Sequence, residues 1–299
     1  MLEVPERLRY ALPMDPFMRH IAACTNAVLP GDRLGFRLGT EPAPVGWVRP
    51  EVAAVLQGFP GVAGTPDGVT LADPAALPAL AHALVAAGHG RWRGEAFDVR
   101  ARPDGEVLGQ VDRGVLPVLG IQAQGVHVNG LVRRPDGPLL WVAVRAADKL
   151  LDPNKLDHIV AGGVAAGMTP WQTLLKEAGE EAAIPPHLAA RAVPVAQIGY
   201  AMERGEGLRR DLLHCYDLDL PEEFAPHPAD GEVARFELWP IARALDAVQQ
   251  GDAFKFNVTL VLIDLFIRLG LIVGAQANAL TSALGLEPPE IAGSSPATT

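Results

Sequence analysis

The segment from Gly162 to Pro186, GGVAAGMTPWQTLLKEAGEEAAIPP, restricts the fold more than any other part of the chain. A glycine pair opens it and a proline pair closes it. Pro170 fits the first turn of a helix, with Thr169 as its N-cap. Pro185 and Pro186 cannot continue that helix. Inside it, Glu177 and Glu180 are three residues apart, and Glu177 and Glu181 are four apart. At about 100° per residue they share one side. Alone, KEAGEE reads as a solvated acidic face, because surface glutamates are common. The same three acids can instead hold a hard cation, since Mg²⁺ prefers carboxylate oxygens and keeps several waters. Glycine at 162 or 163 lets the backbone pass close enough to add a carbonyl. Gly179 weakens the helix by about 1 kcal/mol relative to alanine.

The flanking sequence sets the fold class. IQAQGVHVNGLVRR alternates, PDG turns, and LLWVAVRAAD alternates again, which predicts a hairpin. HIVAGG reads as a strand running into a glycine turn. VPVAQIGYAMERGEGLRRDLLHCYDLDL predicts a second hairpin turning at Arg204 to Gly207, and DGEVARFELWP a further strand. IARALDAVQQG predicts a helix, and the apolar run from Asn257, NVTLVLIDLFIRLGLIVG, a closing one. Asp264 and Arg268 interrupt that run and share a helix face, so it reads as a buried amphipathic helix, not a membrane span. Before residue 118 the pattern differs. A helix is expected near Asp15, a strand then a helix at Pro50, a helix over PAALPALAHALVAAGHG, and strands at RWRGEAFDVRA and EVLGQVDRG. The expectation is α+β: a smaller α+β unit over residues 1–118, a mixed-sheet unit over 119–285, and a loosely held tail over 286–299.

Net charge is −10, which argues against a nucleic-acid polymer as partner. An anionic substrate would be repelled unless a cation or local arginines intervene. Cys24 and Cys215 are far apart and read as reduced, buried thiols. The N-terminal MLEVPERLRY has no apolar signal core, so a cytoplasmic location is expected.

The glycines, helix length and acids resemble the Nudix box. Its second half falls on Lys176-Glu177, Ala178, Gly179, Glu180-Glu181, Ala182, Ala183 and Ile184. Met168 stands where the pattern has its first Glu, Lys176 replaces Arg, and Ala183 replaces the final Gly. The runs GVHVNG, DPNKLDHIVAGGVAAG, KEAGEEAAIP, DLLHCYDLDLP, DGEVARFELWP and FKFNVTLVLIDLFIR resemble the Nudix subgroup related to thiamine pyrophosphokinase. RHIAACTNAVLP and VGWVRPEV resemble the accessory domain that precedes the Nudix domain there. The resemblance spans roughly residues 15–272, and kinase activity is not implied.

The resemblance implies an α/β/α Nudix sandwich and a diphosphate hydrolase that uses Mg²⁺ or Mn²⁺. Glu177, Glu180 and Glu181 would ligate the metal, with a carbonyl from Gly162 or Gly163. Lys176 would take the arginine's orienting role without its bidentate fork. Met168 would remove an outer carboxylate. The general base would be Glu232, in a loop outside the box, or Glu180. Arg209 and Arg210 could meet the diphosphate, with Lys255 beside them. Trp171, Trp141 or Tyr200 could stack on a ring, whereas His127 and His214 read as packed strand residues. The expected partner is a small-molecule diphosphate, with thiamine diphosphate or its oxidised forms first and an 8-oxo-dGDP-type nucleotide second. A non-catalytic diphosphate-binding or sensor module is the third reading, and a homodimer is left open.

Overall fold

The computed structural model describes residues 15–148, 151–229 and 231–286. The N-terminal stretch to residue 14 and the tail from residue 287 lie outside the described residues.

Helix α1 (Met18–Cys24) starts where expected, because Asp15 Oδ1 accepts from the Phe17 and Met18 amides at 2.9 and 3.0 Å. Next come β1 (Leu34–Leu38), β2 (Gly46–Val48), α2 (Pro50–Gln57), β3 (Val62–Thr65), β4 (Gly68–Leu71), α3 (Leu77–Ala86), β5 (Ala96–Val99), β6 (Gly109–Asp112) and α4 (Leu116–Leu119). Strands β1 to β4 form a sheet in the order β2-β1-β4-β3, and β5 pairs with β6. Their own core holds Phe36, Leu38, Leu71, Leu80, Leu84 and Phe97. Residue 118 falls within α4, which packs against both this unit and the next.

The rest of the chain runs β7 (Gln122–Val132), β8 (Leu139–Arg145), β9 (Leu156–His158), β10 (Val160–Gly163), α5 (Pro170–Ala182), α6 (Pro186–Ala189), β11 (Val193–Arg204), β12 (Gly207–Asp219), β13 (Val233–Pro240), α7 (Ile241–Gln250), α8 (Val258–Arg268) and α9 (Gly274–Ala283). The main sheet is mixed, in the order β11-β12-β7-β8-β13, with β12 parallel to β7 and the other pairs antiparallel. One face packs on α5 through Val126, Val128, Leu174 and Ala178. The other packs on α7, α8 and α9 through Leu131, Val142, Leu262 and Phe266. The architecture is therefore α+β, an α/β/α sandwich following a smaller sheet unit.

Two features of this sandwich shape the site. Strands β7 and β8 pair only over Gly130–Val132 and then splay apart. The gap is filled by one stretch of chain that pairs first with β8 as β9 and then with β7 as β10. Buried Ile159 makes the crossover, and a Cβ on Gly130 would lie 2.8 Å from its side chain. Second, α1 precedes the small sheet in sequence but joins the large core: Phe17, Ile21 and Cys24 pack with α8 and β11. Cys24 and Cys215 are free and buried in that same core.

The apolar run from Asn257 departs from expectation. Helix α8 stops at Arg268, Gly270 takes a left-handed φ of 71°, and a separate helix, α9, follows. A glycine in that conformation terminates a helix whatever the hydrophobicity beyond it. The Asp264–Arg268 pair does form, at 2.8 Å, and Arg268 also reaches Asp217. No helix among the described residues is long and apolar enough to cross a membrane.

Helix α5 carries its signals as read. Thr169 and Gln172 form a reciprocal capping box, and Pro170 occupies the first turn. Pro186 does more than stop it, since it opens the one-turn helix α6. The helix ends at Ala183, which is exposed and left-handed, with φ 52°. Gly179 is exposed within the helix, with open space where a Cβ would stand. The two residue types are thus exchanged relative to backbone preference. Gly179→Ala is expected to stabilise the fold by about 1 kcal/mol, and Ala183→Gly by about 0.5–1 kcal/mol. Urea midpoints check both. A loss of stability from either would mean its site is not as described.

Candidate active site

The acids of α5 divide by burial. Glu181 is 7% exposed, and its Oε2 accepts from the Ala161 amide on β10 at 2.8 Å. No cation pairs with it among the described residues. Burial holds its carboxyl well above the usual range against that one hydrogen bond, and the negative charges of Asp157, Glu177 and Glu232 push the same way. Glu177 is half-buried, and its carboxyl is also raised by burial, with Lys176 opposing and Glu180 and Glu232 adding. Glu180 is exposed and held by Lys176 Nζ at 2.6 Å, while the same Nζ reaches Glu177 at 3.1 Å. Lys176 thus straddles two of the three acids. Glu232, just before β13, is close enough for its charge to act on Glu177 and Glu181.

The glycine pair explains how the helix sits so near the strand. A Cβ on Gly162 would lie 2.5 Å from Glu177 Cγ, so the strand can pass this acid only as glycine. Successive strand residues face opposite ways, and Gly163 faces another neighbour: its Cβ would lie 2.6 Å from Phe97 Cζ of the small-sheet unit.

Beside β10 lies a cleft lined by Ala161, Gly162 and Gly163, by Gly125 and His127 of β7, by β12, and by Lys255 and Asn257. Phe97, Arg113, Leu116 and Pro117 close it from the small-sheet side. Its charged lining is Arg113, Arg209, Arg210 and Lys255 against Asp211 alone, in a chain of net charge −10. Arg209 is largely satisfied, with Asp211 at 3.0 Å and Glu206 at 3.5 Å. Arg210 donates to the Gly120 carbonyl at 3.1 Å and has no carboxylate partner among the described residues. Burial alone pulls its guanidinium downward. Lys255, with its side chain 13% exposed, is pulled down by desolvation, with Asp157 opposing at 3.5 Å. Asp157 also takes Arg145 at 2.8 Å, so two cations share one carboxylate. A local excess of positive charge results.

The cleft floor continues into a buried polar group. His127 Nδ1 meets His158 Nδ1 at 2.9 Å, and Asn257 Nδ2 lies 3.4 Å from His127 Nε2. Ligating atoms of His127, Asp157 and His158 all lie within 4.8 Å of one another, close enough to converge on a metal ion. Arg145 and Lys255 already occupy Asp157, however, and the two imidazoles spend their Nδ1 atoms on each other, leaving His158 Nε2 buried without a partner. A cation there would meet two resident positive charges, which disfavours it at this group.

Residues 123–259 match the NUDIX domain family. The chain is 39% identical over 180 residues to Nudix hydrolase 20, chloroplastic, and 38% identical over 180 residues to Nudix hydrolase 24, chloroplastic, both of Arabidopsis thaliana. Each match covers 60% of this chain, against 48% and 49% of those proteins, so the chain spans about half the length of the curated relatives it matches. Among solved structures, DR0079 from Deinococcus radiodurans aligns with a TM-score of 0.43 and 24% identity, covering 56% of this chain and 97% of that one.

Within this matched stretch, residues 123–259, the expected site residues have separate fates. Glu177, Glu181 and Gly162 come together at the α5–β10 contact, with Glu232 in electrostatic range. Glu180 and Lys176 pair on the exposed side of the helix. Arg209, Arg210 and Lys255 line the cleft, whereas Trp171 does not; it is 38% exposed and lies against Tyr216 at 6.2 Å between ring centroids. Tyr200 is core and hydrogen-bonds Asp211. Met168 sits in the turn before α5, its amide on the Ala165 carbonyl. His214 bonds Gln124, a packed role as expected. His127 is buried as expected but lines the cleft, and buried Asp157 and His158 stand beside it without a sequence signal. Their run reads only as a short strand, and nothing in its spacing shows which strands it inserts between.

The buried histidines make stability depend on pH. Burial first, then neighbouring charges, holds His127 well below 6.5, and burial takes His158 to about 4. A depressed histidine is neutral in the fold while the unfolded chain takes up a proton below about 6.5. Stability is therefore fully present above that pH and falls as pH drops toward 4, by about 1.4 kcal/mol per pH unit for each histidine. Urea titrations at pH 7 and 5 should show this loss, and it should shrink in His158→Gln. An unchanged slope in that variant would contradict the assignment.

Proposed function

We propose that this chain is a divalent-metal-dependent hydrolase that cleaves a diphosphate linkage. Its substrate is thiamine diphosphate or the oxo and oxy forms, and its products are the monophosphate and phosphate. One observation carries the reading: β10 is flanked by the half-buried carboxylate of Glu177 and the buried one of Glu181, and by a cleft with a surplus of cationic groups. A diphosphate linkage joins an anion, which the cleft suits, to chemistry that needs a hard cation, which the acids suit. The thiamine moiety rests on the subgroup resemblance of GVHVNG, KEAGEEAAIP and the neighbouring runs. The names of the Arabidopsis relatives support hydrolysis in general. An accessory role for residues 1–118, a domain end at 285 and a cytoplasmic location belong to the same proposal.

The donor set fits Mg²⁺ or Mn²⁺. Glu177 and Glu181 offer carboxylate oxygens, β10 offers a carbonyl at Gly162, and no sulfur or imidazole is part of the group. Glu181 is a buried carboxylate with one hydrogen bond and three acidic neighbours, an arrangement that a cation would relieve. When bound, such an ion neutralises the diphosphate and lowers the pKa of water. The side chains do the remainder. Arg209, Arg210 and Lys255 draw in the anion and orient it. Lys176 fixes the Glu177 carboxylate. Glu232 accepts the proton of the attacking water; Glu180 is the competing base, but its bond to Lys176 and its exposure leave it the weaker candidate.

The test is phosphate release from thiamine diphosphate, its oxo and oxy forms, and 8-oxo-dGDP, with Mg²⁺ or Mn²⁺. Release is expected from the thiamine series and should vanish with chelator. Glu181→Gln should fold normally yet lose at least about a hundredfold in turnover. Wild-type rates in that variant would sink the metal-ligand assignment. Release from 8-oxo-dGDP alone would replace the substrate, and release from none of them would overturn the enzyme reading for this series.

A further inference from the structure

One wall of the cleft comes from chain that precedes the NUDIX domain, and the contact is built at several points. Phe97 fills the space that a Cβ on Gly163 would need. The loop between β10 and α5 is hydrogen-bonded to β5: the Ala166 amide donates to the Ala96 carbonyl at 2.8 Å, and the Gly167 amide to Asp98 Oδ2 at 3.2 Å. Gln124 Nε2 donates to the Pro103 carbonyl at 2.9 Å. The small-sheet unit thus grips the loop that delivers the acid helix.

Arg113 is the charged group on this wall. Its backbone is firmly placed, since buried Asp112 accepts from the Arg93, Gly94 and Gly114 amides at 2.7 to 2.9 Å, and the Arg113 amide donates to the Glu95 carbonyl. Its side chain is not comparably committed. The guanidinium lies 5.6 Å from the Phe97 ring centroid and pairs with Glu95 at 2.8 Å, in an ion pair 46% and 38% exposed. Exposed pairs of this kind contribute little stability, so the guanidinium can exchange Glu95 for another anion at small cost. Its planar fork matches phosphate oxygens.

We propose that Arg113 is a substrate-binding residue: its guanidinium takes a phosphate oxygen of the diphosphate held in the cleft, so the small-sheet unit completes the substrate site of the NUDIX domain. The inference rests on reading this cleft as the diphosphate site, and it does not depend on the organic moiety or on turnover.

The experiment is calorimetric binding of methylenediphosphonate, whose P–C–P bridge cannot be hydrolysed, to the full chain with Mg²⁺. Arg113→Ala is expected to bind roughly tenfold more weakly than wild type, Arg113→Lys to fall between them, and Glu95→Gln to bind a few-fold more tightly because its competitor is gone. Melting temperatures of all three should stay near wild type, as the pair is exposed. Equal affinity of wild type and Arg113→Ala, or no binding by wild type, overturns the proposal. Arg113-dependent binding in a chain that releases no phosphate from thiamine diphosphate leaves this inference standing and removes only the substrate reading.

Discussion

The approach of α5 to β10 at Gly162 is the contact on which the site depends. It brings Glu177 against the strand, lets Ala161 donate to Glu181, and leaves the Glu181 carboxylate buried without a positive partner among the described residues. Burying a carboxylate this way is unfavourable unless something compensates. The cost is tolerable because α5 is fixed elsewhere: Leu174, Ala178 and Ala182 pack into an apolar core, and a capping box fixes its start. Apolar packing thus holds together charges that would otherwise separate.

The splayed hairpin makes that approach possible. Strands β7 and β8 separate beyond Gly130, and β9 and β10 occupy the opening. The inserted chain presents Asp157 and His158 to the buried polar group and then Ala161 to Gly163 to both the acid helix and the cleft. A few consecutive residues therefore serve the polar floor, the acidic face and the contact with the small-sheet unit. The two glycines divide the last two tasks, Gly162 toward Glu177 and Gly163 toward Phe97.

Much of this was legible in the chain. The caps, prolines and turn at Arg204 to Gly207 act through local backbone preference, so α5 and the β11–β12 hairpin appear where the sequence places them. Where local signals were weak or misleading, the reading failed. The apolar run after Asn257 hid the break at Gly270, because hydrophobicity continued across it. The aromatic character of Trp171 suggested stacking, but its helical position turns it toward Tyr216 and away from the cleft. Asp157 and His158 carried no usable spacing, since their meaning comes from partners more than ten residues away or on other strands.

By itself the sequence determined the α+β class, the acid helix α5 with three acids on one side, the β11–β12 hairpin and the arginine pair at 209 and 210. These follow from periodicity, capping and composition, which act over a few residues. Only the tertiary structure decided that Glu181 is buried while Glu180 is exposed, that Arg210 lacks a carboxylate partner among the described residues, and that Arg113, from chain before β7, lines the cleft. Burial, charge compensation and shared clefts are properties of distant chain brought together, and helix periodicity can place three acids on one side without saying which of them will lose its water.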